Sequence, residues 1–251
     1  MILVLTYHRV CETPAGTEPN FYTISPAQLD RQLGLLRENG FVCMKIGDLI
    51  GLSTIPEHRY VLTFDDGTSD HREVVFPLLE KHRCQGAFFV PTAQLNQPGY
   101  LTDAQVQEMA AAGHAIGPHS HDHRRLDTMD DKEIWRQIAT SQKIIAGLTG
   151  SNSPAFVPPG GFVNDRVRTI AAELGVRIMR TMRWGYNQNL DLMALETIPI
   201  NHYVTERKFL KVLSSRNKPL LYAGKEALKR IVPLPAYERL RKLIFKFSKS
   251  D

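Results

Sequence analysis

The sequence predicts an α/β fold built on parallel strands, as a barrel or a sheet, and three observations carry that expectation. Short apolar runs alternate with amphipathic stretches of helical period from residue 1 to about residue 215, the pattern of repeated βαβ units. No internal repeat or low-complexity block interrupts the alternation. Apolar runs also end abruptly in polar clusters, Asp65-Asp66-Gly67 and His119 to His123, and the C-terminal ends of strands are where such folds place chemistry. A chain of 251 residues, 43% hydrophobic and 23% charged, suffices for one domain with a sizeable core.

The elements follow in order. Residues 1–10 read as a strand ending in Tyr7-His8, and residues 11–24, with Pro14, Gly16 and Pro19, as a loop. Ser25-Pro26 opens a helix whose Leu29, Leu33 and Leu36 recur at helical spacing, and Asn39-Gly40 stops it. Residues 41–44 read as a short strand and 46–52 as a short helix. The run Tyr60-Val61-Leu62-Thr63-Phe64 is a buried strand, followed by a helix over about 72–82 and a strand over 86–90. Thr102-Asp103 caps a helix closed by Gly113, and residues 114–117 form the next strand. A long helix over 130–148 turns Ile134, Ile138, Ile144 and Ile145 inward. A strand at 156–159, a helix at 164–174 and strands at 176–179 and 195–200 complete the series, with no linker before about residue 215.

Composition narrows the function classes. Cys11, Cys43 and Cys84 are odd in number and widely spaced, which argues against a disulfide scaffold or a cysteine zinc site and suggests a reduced compartment. The apolar N-terminus is too short for a signal-peptide core and lacks a basic leader. No stretch approaches the ~20 apolar residues of a membrane span. A cytoplasmic location is the expectation. The net charge of +5 is uneven: residues 205–251 hold 13 Lys and Arg against 4 acidic residues, whereas the preceding chain is mildly acidic.

Asp65-Asp66-Gly67 taken alone reads as a turn, because Asp and Gly favour turns. Gly117-Pro118-His119-Ser120-His121-Asp122-His123 taken alone reads as a solvated, histidine-rich loop. Together they suit a hydrolytic metal site of two imidazoles and a carboxylate with open positions. His119 and His123, four apart, share a face if the segment turns helically. His121 and Asp122 read as exposed loop residues.

Thr63-Phe64-Asp65-Asp66-Gly67 followed by His119-Ser120-x-x-His123 resembles the polysaccharide deacetylases of the NodB-homology type, carbohydrate esterase family 4. Tyr7-His8-Arg9-Val10, ahead of Glu38-Asn39-Gly40-Phe41, is similar to the opening of one subgroup, and the resemblance covers roughly residues 1–215. It implies a distorted (β/α) barrel of about seven parallel strands that hydrolyses an N-acetyl, sometimes O-acetyl, group on a sugar. It further implies that Asp66, His119 and His123 bind one divalent metal, zinc before cobalt, nickel, manganese or iron, and that Asp65 is the general base. That division suits a metal that polarises a carbonyl and acidifies water, with a carboxylate in reach of the proton.

Three positions depart from the family pattern. Val157 stands where the resemblance implies an arginine that orients the base, leaving Arg180 or Arg183 to supply the cation. Trp184 lacks its acidic partner and either walls the acetyl pocket or belongs to the core. For the general acid, Ile200-Asn201-His202 loosely resembles the family motif and is favoured slightly over His8, which also ends a strand. Tyr7, Pro159, Gly160 and Trp184 are the expected substrate contacts, with a backbone N–H near the proline-glycine loop helping to hold the oxyanion.

Residues 216–251 read as a basic tail. Over about 236–247 they form an amphipathic helix, with Arg239, Arg241, Lys242 and Lys246 interleaved with Leu240, Leu243, Ile244, Phe245 and Phe247. Such a helix lies on anionic lipid or packs on the barrel with a solvated basic face. No nucleic acid is expected, since no stacking or groove-reading motif accompanies the charge. The sequence-level reading is a metal-dependent deacetylase acting on a sugar of a surface glycan or its precursor (a nucleotide sugar, a lipid-linked saccharide or an O-antigen unit), at the inner face of the membrane. The alternatives are a catalytically silent carbohydrate-binding module on the same fold and an amidase for non-sugar acyl amides.

Overall fold

Seven parallel strands follow one another around a nearly closed barrel. In the computed structural model, which describes residues 1–215 apart from Ala15 and Glu18, the first strand β1 (Ile2–Tyr7) continues into a two-strand ribbon of β2 (Arg9–Val10) and β3 (Thr23–Ile24). Then come α1 (Pro26–Glu38), β4 (Val42–Cys43), β5 (Arg59–Phe64), α2 (Phe76–His82), β6 (Gly86–Val90), α3 (Asp103–Ala111) and β7 (Ala115–Pro118). The remainder is α4 (Asp131–Thr149), β8 (Ala155–Phe156), α5 (Asp165–Glu173), β9 (Ile178–Trp184), β10 (Leu195–Pro199) and α6 (Glu206–Ser214). The basic segment 216–251, and with it the membrane-surface expectation, lies outside the described residues.

The strand order β7-β6-β5-β1-β10-β9-β8 places every barrel strand beside its sequence neighbour, and all pairings are parallel. The two ends of that row meet where Val157 N–H donates to the Pro118 carbonyl at 3.2 Å. The expected strand at 41–44 shrinks to β4, which flanks β5 off the ring. The expected strand at 176–179 instead starts at Ile178 and runs on to Trp184. Gly175, at φ 82°, closes α5 and lets Val176 N–H bond back to Ala171, so pairing cannot begin sooner. Ahead of α2 the helix widens into a π-turn over His71–Val75, just before Pro77, which has no N–H to offer.

Strand alternation sorts the core into layers. Ile2 and Val4 of β1 join Val61, Ala87, Phe89, Ala155, Ile178 and Leu195 inside the barrel, and Ile46 and Leu49 belong to the same cluster. One step higher sits a threonine layer. Thr6 meets Thr63 at 2.9 Å and also Thr197, while Thr63 and Thr197 donate to the carbonyls of Leu5 and Val4. Buried hydroxyls are tolerated there because each has a partner. Above the threonines the interior becomes charged.

Candidate active site

Asp65 follows the last residue of β5, and its N–H donates to the Tyr7 carbonyl at 3.0 Å, which ties the ends of two neighbouring strands together. Its side chain is buried, and its Oδ2 accepts a very short hydrogen bond from Nη2 of Arg180, itself fully buried on β9. His8 Nε2 stands 3.9 Å from the same oxygen. Asp65 Oδ1 is buried and has no hydrogen-bond partner among the described residues. Burial pushes the Asp65 carboxyl up, but Arg180, then His119 and His8, outweigh it and hold the group below the usual carboxylate range. For His8 the balance is reversed: burial outweighs the carboxylates and lowers its pKa.

Two consecutive left-handed residues, Asp66 at φ 76° and Gly67 at φ 59°, break strand alternation at the rim. Both adjacent carboxylates therefore lie near His119, where an unbroken strand would send them to opposite faces. A Cβ on Gly67 would stand 2.9 Å from Cγ1 of Val90, so the turn needs glycine for space as well as for conformation.

His119 follows β7, and its ring Nδ1 donates to the Val157 carbonyl at 2.6 Å, which leaves Nε2 as the nitrogen that could ligate a metal. Nε2 lies 3.6 Å from Asp66 Oδ1, and His123 Nε2 lies 3.1 Å from the same oxygen. One ligand atom from each of Asp66, His119 and His123 lies within 4.8 Å of the others. Two imidazoles and a carboxylate that leave coordination positions open are a donor set that a divalent cation fits. Asp66 sits far below the usual carboxylate range, because hydrogen bonds from both histidines overcome the effect of burial.

His119 and His123 come together through a loop and not through a helical turn. The carbonyls of Ser120 and His121 accept from Thr92 and Ala93 across the loop, so they are spent outside any helical ladder. Ser120 and His123 adopt φ of 61° and 62°. Ser120 Oγ accepts the His123 N–H, and Gln137 Oε1 of α4 accepts the N–H groups of His121 and Asp122. Gln137 carries no sequence signal that would have singled it out.

Other expected site residues divide. Tyr7 is corrected: it faces the helices, buried against Phe64 with its hydroxyl donating to Gln32 of α1, because strand alternation sends it opposite to Thr6. His202 turns to the Asn20 carbonyl and packs on Tyr203, 3.9 Å between ring centroids, so His8 is the histidine brought to Asp65. Arg180 is the arginine at the site, since Arg183 donates to the Ala194 carbonyl instead. Trp184 is buried edge-on to Tyr186. Pro159 is buried and Gly160 exposed in the turn after Val157. His121 and Asp122 are half-buried, His121 meeting Thr92 and Asp122 pairing with Arg124.

Comparison with known proteins adds independent evidence. The family described as polysaccharide deacetylase matches residues 53–179. The peptidoglycan-N-acetylglucosamine deacetylase PgdA of Listeria monocytogenes is 34% identical over 133 residues, which cover 51% of this chain and 27% of that protein. This chain thus spans about a quarter of that relative's length. A peptidoglycan-N-acetylglucosamine deacetylase of Bacillus cereus is 28% identical over 156 residues, 61% of this chain and 69% of that protein. Among solved structures, the Streptococcus pyogenes deacetylase PplD in complex with acetate superposes with a TM-score of 0.78 at 23% identity, over 85% of this chain and 98% of that one. IcaB from Ammonifex degensii gives 0.74 at 24% identity, over 85% and 95%. Both structural likenesses bear on the fold.

Proposed function

From this chain's membership of the polysaccharide deacetylase family, we propose that it hydrolyses the N-acetyl group of an amino sugar in a surface glycan or its precursor. Asp66, His119 and His123 would hold a divalent metal, and zinc is the ion we propose, since two imidazoles and a carboxylate with an open position are one of its catalytic donor sets. A cation there supplies Lewis acidity toward the acyl carbonyl and makes water easier to deprotonate.

This chain's own residues do the rest. Asp65 takes the proton of the attacking water on Oδ1, while Arg180 keeps the carboxylate ionised and aimed. His8, beside Asp65, passes on to the departing amine the proton that Asp65 has taken from the water. Pro159 and Gly160 form the rim that the sugar meets, next to the Val157 carbonyl that orients His119. The observation that carries the reading is the buried Oδ1 of an arginine-clamped Asp65, without a hydrogen-bond partner among the described residues, beside the three-ligand cluster. The silent-module alternative drew on an unoriented base, and Arg180 removes that premise.

The test is acetate release from N-acetylated sugar oligomers by the zinc-reconstituted protein, with metal content measured in parallel. About one equivalent of zinc and acetate release that Asp65→Asn abolishes would support the reading. Bound zinc with no acetate from any acetylated sugar would move the assignment to acyl amides of another kind.

A further inference from the structure

The segment that supplies Asp65 also reaches back to the chain from the end of β1 into β2 at three points, Tyr7, His8 and Val10. Asp65 N–H bonds the Tyr7 carbonyl at 3.0 Å. The His71 ring nitrogen Nε2 lies 2.7 Å from the His8 carbonyl. Asp70 Oδ2 accepts the Val10 N–H at 2.7 Å. His8 is therefore fastened at its own carbonyl and on both flanks by residues 65–71.

These fasteners are chemically expensive choices for their surroundings. His71 is fully buried beside Phe64 and Phe88, ring centroids 5.8 and 5.6 Å away, and Asp70 is 4% exposed. An apolar side chain would suit that pocket better, because buried polar groups lose hydration that only a good partner replaces. A carbonyl can only accept, so His71 Nε2 carries the proton, and Nδ1 is left buried with no partner among the described residues. The one hydrogen bond His71 makes with its ring thus goes to the backbone of His8. The His8 ring is held separately, stacked on Tyr22 at 4.4 Å between centroids.

We propose that Asp70 and His71 are positioning residues that hold His8 against Asp65, fixing the proton donor and the proton acceptor in one frame. The proposal rests on the reading of His8 as proton donor given above. His71 acts through the carbonyl of His8, and Asp70 through the Val10 N–H and the Arg9 side chain, whose Nε lies 3.8 Å from Asp70 Oδ1. Active-site geometry of this kind depends on support to about half an ångström.

The test is a double-mutant cycle in the zinc-loaded full chain. His71→Leu should lower kcat tenfold or more with KM within twofold, and His71→Gln, which restores an N–H donor, should recover most of the loss. In a His8→Ala background His71→Leu should change kcat no further; an equal loss in both backgrounds would overturn the proposal. Asp70→Asn keeps an acceptor oxygen for Val10 and should act mildly, whereas Asp70→Leu should behave like His71→Leu; this pair decides the matter if His71→Leu does not fold. Imidazole NMR signals supply a readout that needs no substrate. His8 signals that shift in His71→Leu while those of His202 stay put support the proposal, and unmoved His8 signals overturn it. If the wild type releases no acetate from any sugar, the deacetylase reading falls, and the NMR comparison still decides the positioning role.

Discussion

Arg180 and Asp65, 115 residues apart in sequence, form a fully desolvated ion pair in the upper barrel. The arginine comes from β9, the strand paired with β8 and packed against the proline-glycine turn, where Val157 leaves no charge to offer. Removing one partner of a buried pair typically costs about 3–5 kcal/mol, because the other charge is stranded. Arg180→Met should therefore lower stability to chemical denaturation by roughly that amount, and Arg180→Lys by much less.

The same pair sets a pH dependence. The Asp65 carboxyl is pushed up by burial and pulled below its ordinary value by Arg180 first among the charges. A depressed folded-state pKa contributes stability above the unfolded value, lost as pH falls through the folded one. In Arg180→Lys, whose ammonium cannot reproduce the fork of the guanidinium, the Asp65 pKa should rise. The acid limb of kcat/KM should then move to higher pH, with the rate at its plateau down roughly 10- to 100-fold. An acid limb that stays in place would show that Arg180 does not hold the base ionised.

His123 is the most exposed of the three putting a ligand atom on the cluster, 40% at the side chain, and it sits in the left-handed region. Alanine enters that region less readily than histidine, so it would confound lost ligation with added backbone strain. Asparagine tolerates that conformation. His123→Asn should keep the melting temperature of the metal-free protein within a few degrees and reduce bound zinc from about one equivalent to little. Retention of a full equivalent would assign the metal elsewhere.

How much of this was legible in the sequence follows the range of each interaction. Asp65, Asp66, His119 and His123 are short motifs at strand ends, so local pattern finds them. The Arg180 and Arg183 alternatives depend on which face of β9 turns inward, and that is fixed by pairing with β10. His8 and His202 both follow strands, and long-range contacts separate them, His8 with Asp65 and His202 with Asn20. Tyr7 could have been excluded from the sequence, since neighbouring residues of a strand cannot both face the interior.

The tail makes a prediction from charge alone. Residues 216–251 interleave cations with leucine, isoleucine and phenylalanine, so the full chain should float with vesicles containing anionic lipid and chain 1–215 should not. Raising salt should weaken the association, because each basic residue contributes only about 1 kcal/mol within a Debye length of the surface. Equal flotation of both forms would remove the membrane role.

Gly161 links the turn after Val157 to β9. At φ 66° it packs so tightly that a Cβ would run into the Met182 nitrogen and come within 2.8 Å of Met182 Cγ. The turn must then move away from β9 in Gly161→Ala, and it is continuous with the carbonyl that orients His119 through Nδ1. Left-handed strain alone accounts for about 1–2 kcal/mol of destabilisation, while displacement of the Val157 carbonyl should weaken zinc affinity about 10- to 100-fold. Zinc titration of the variant checks this. A loss of stability with zinc affinity intact would show that the turn can shift without turning His119, and would leave Val157 as a barrel seam rather than a support of the metal site.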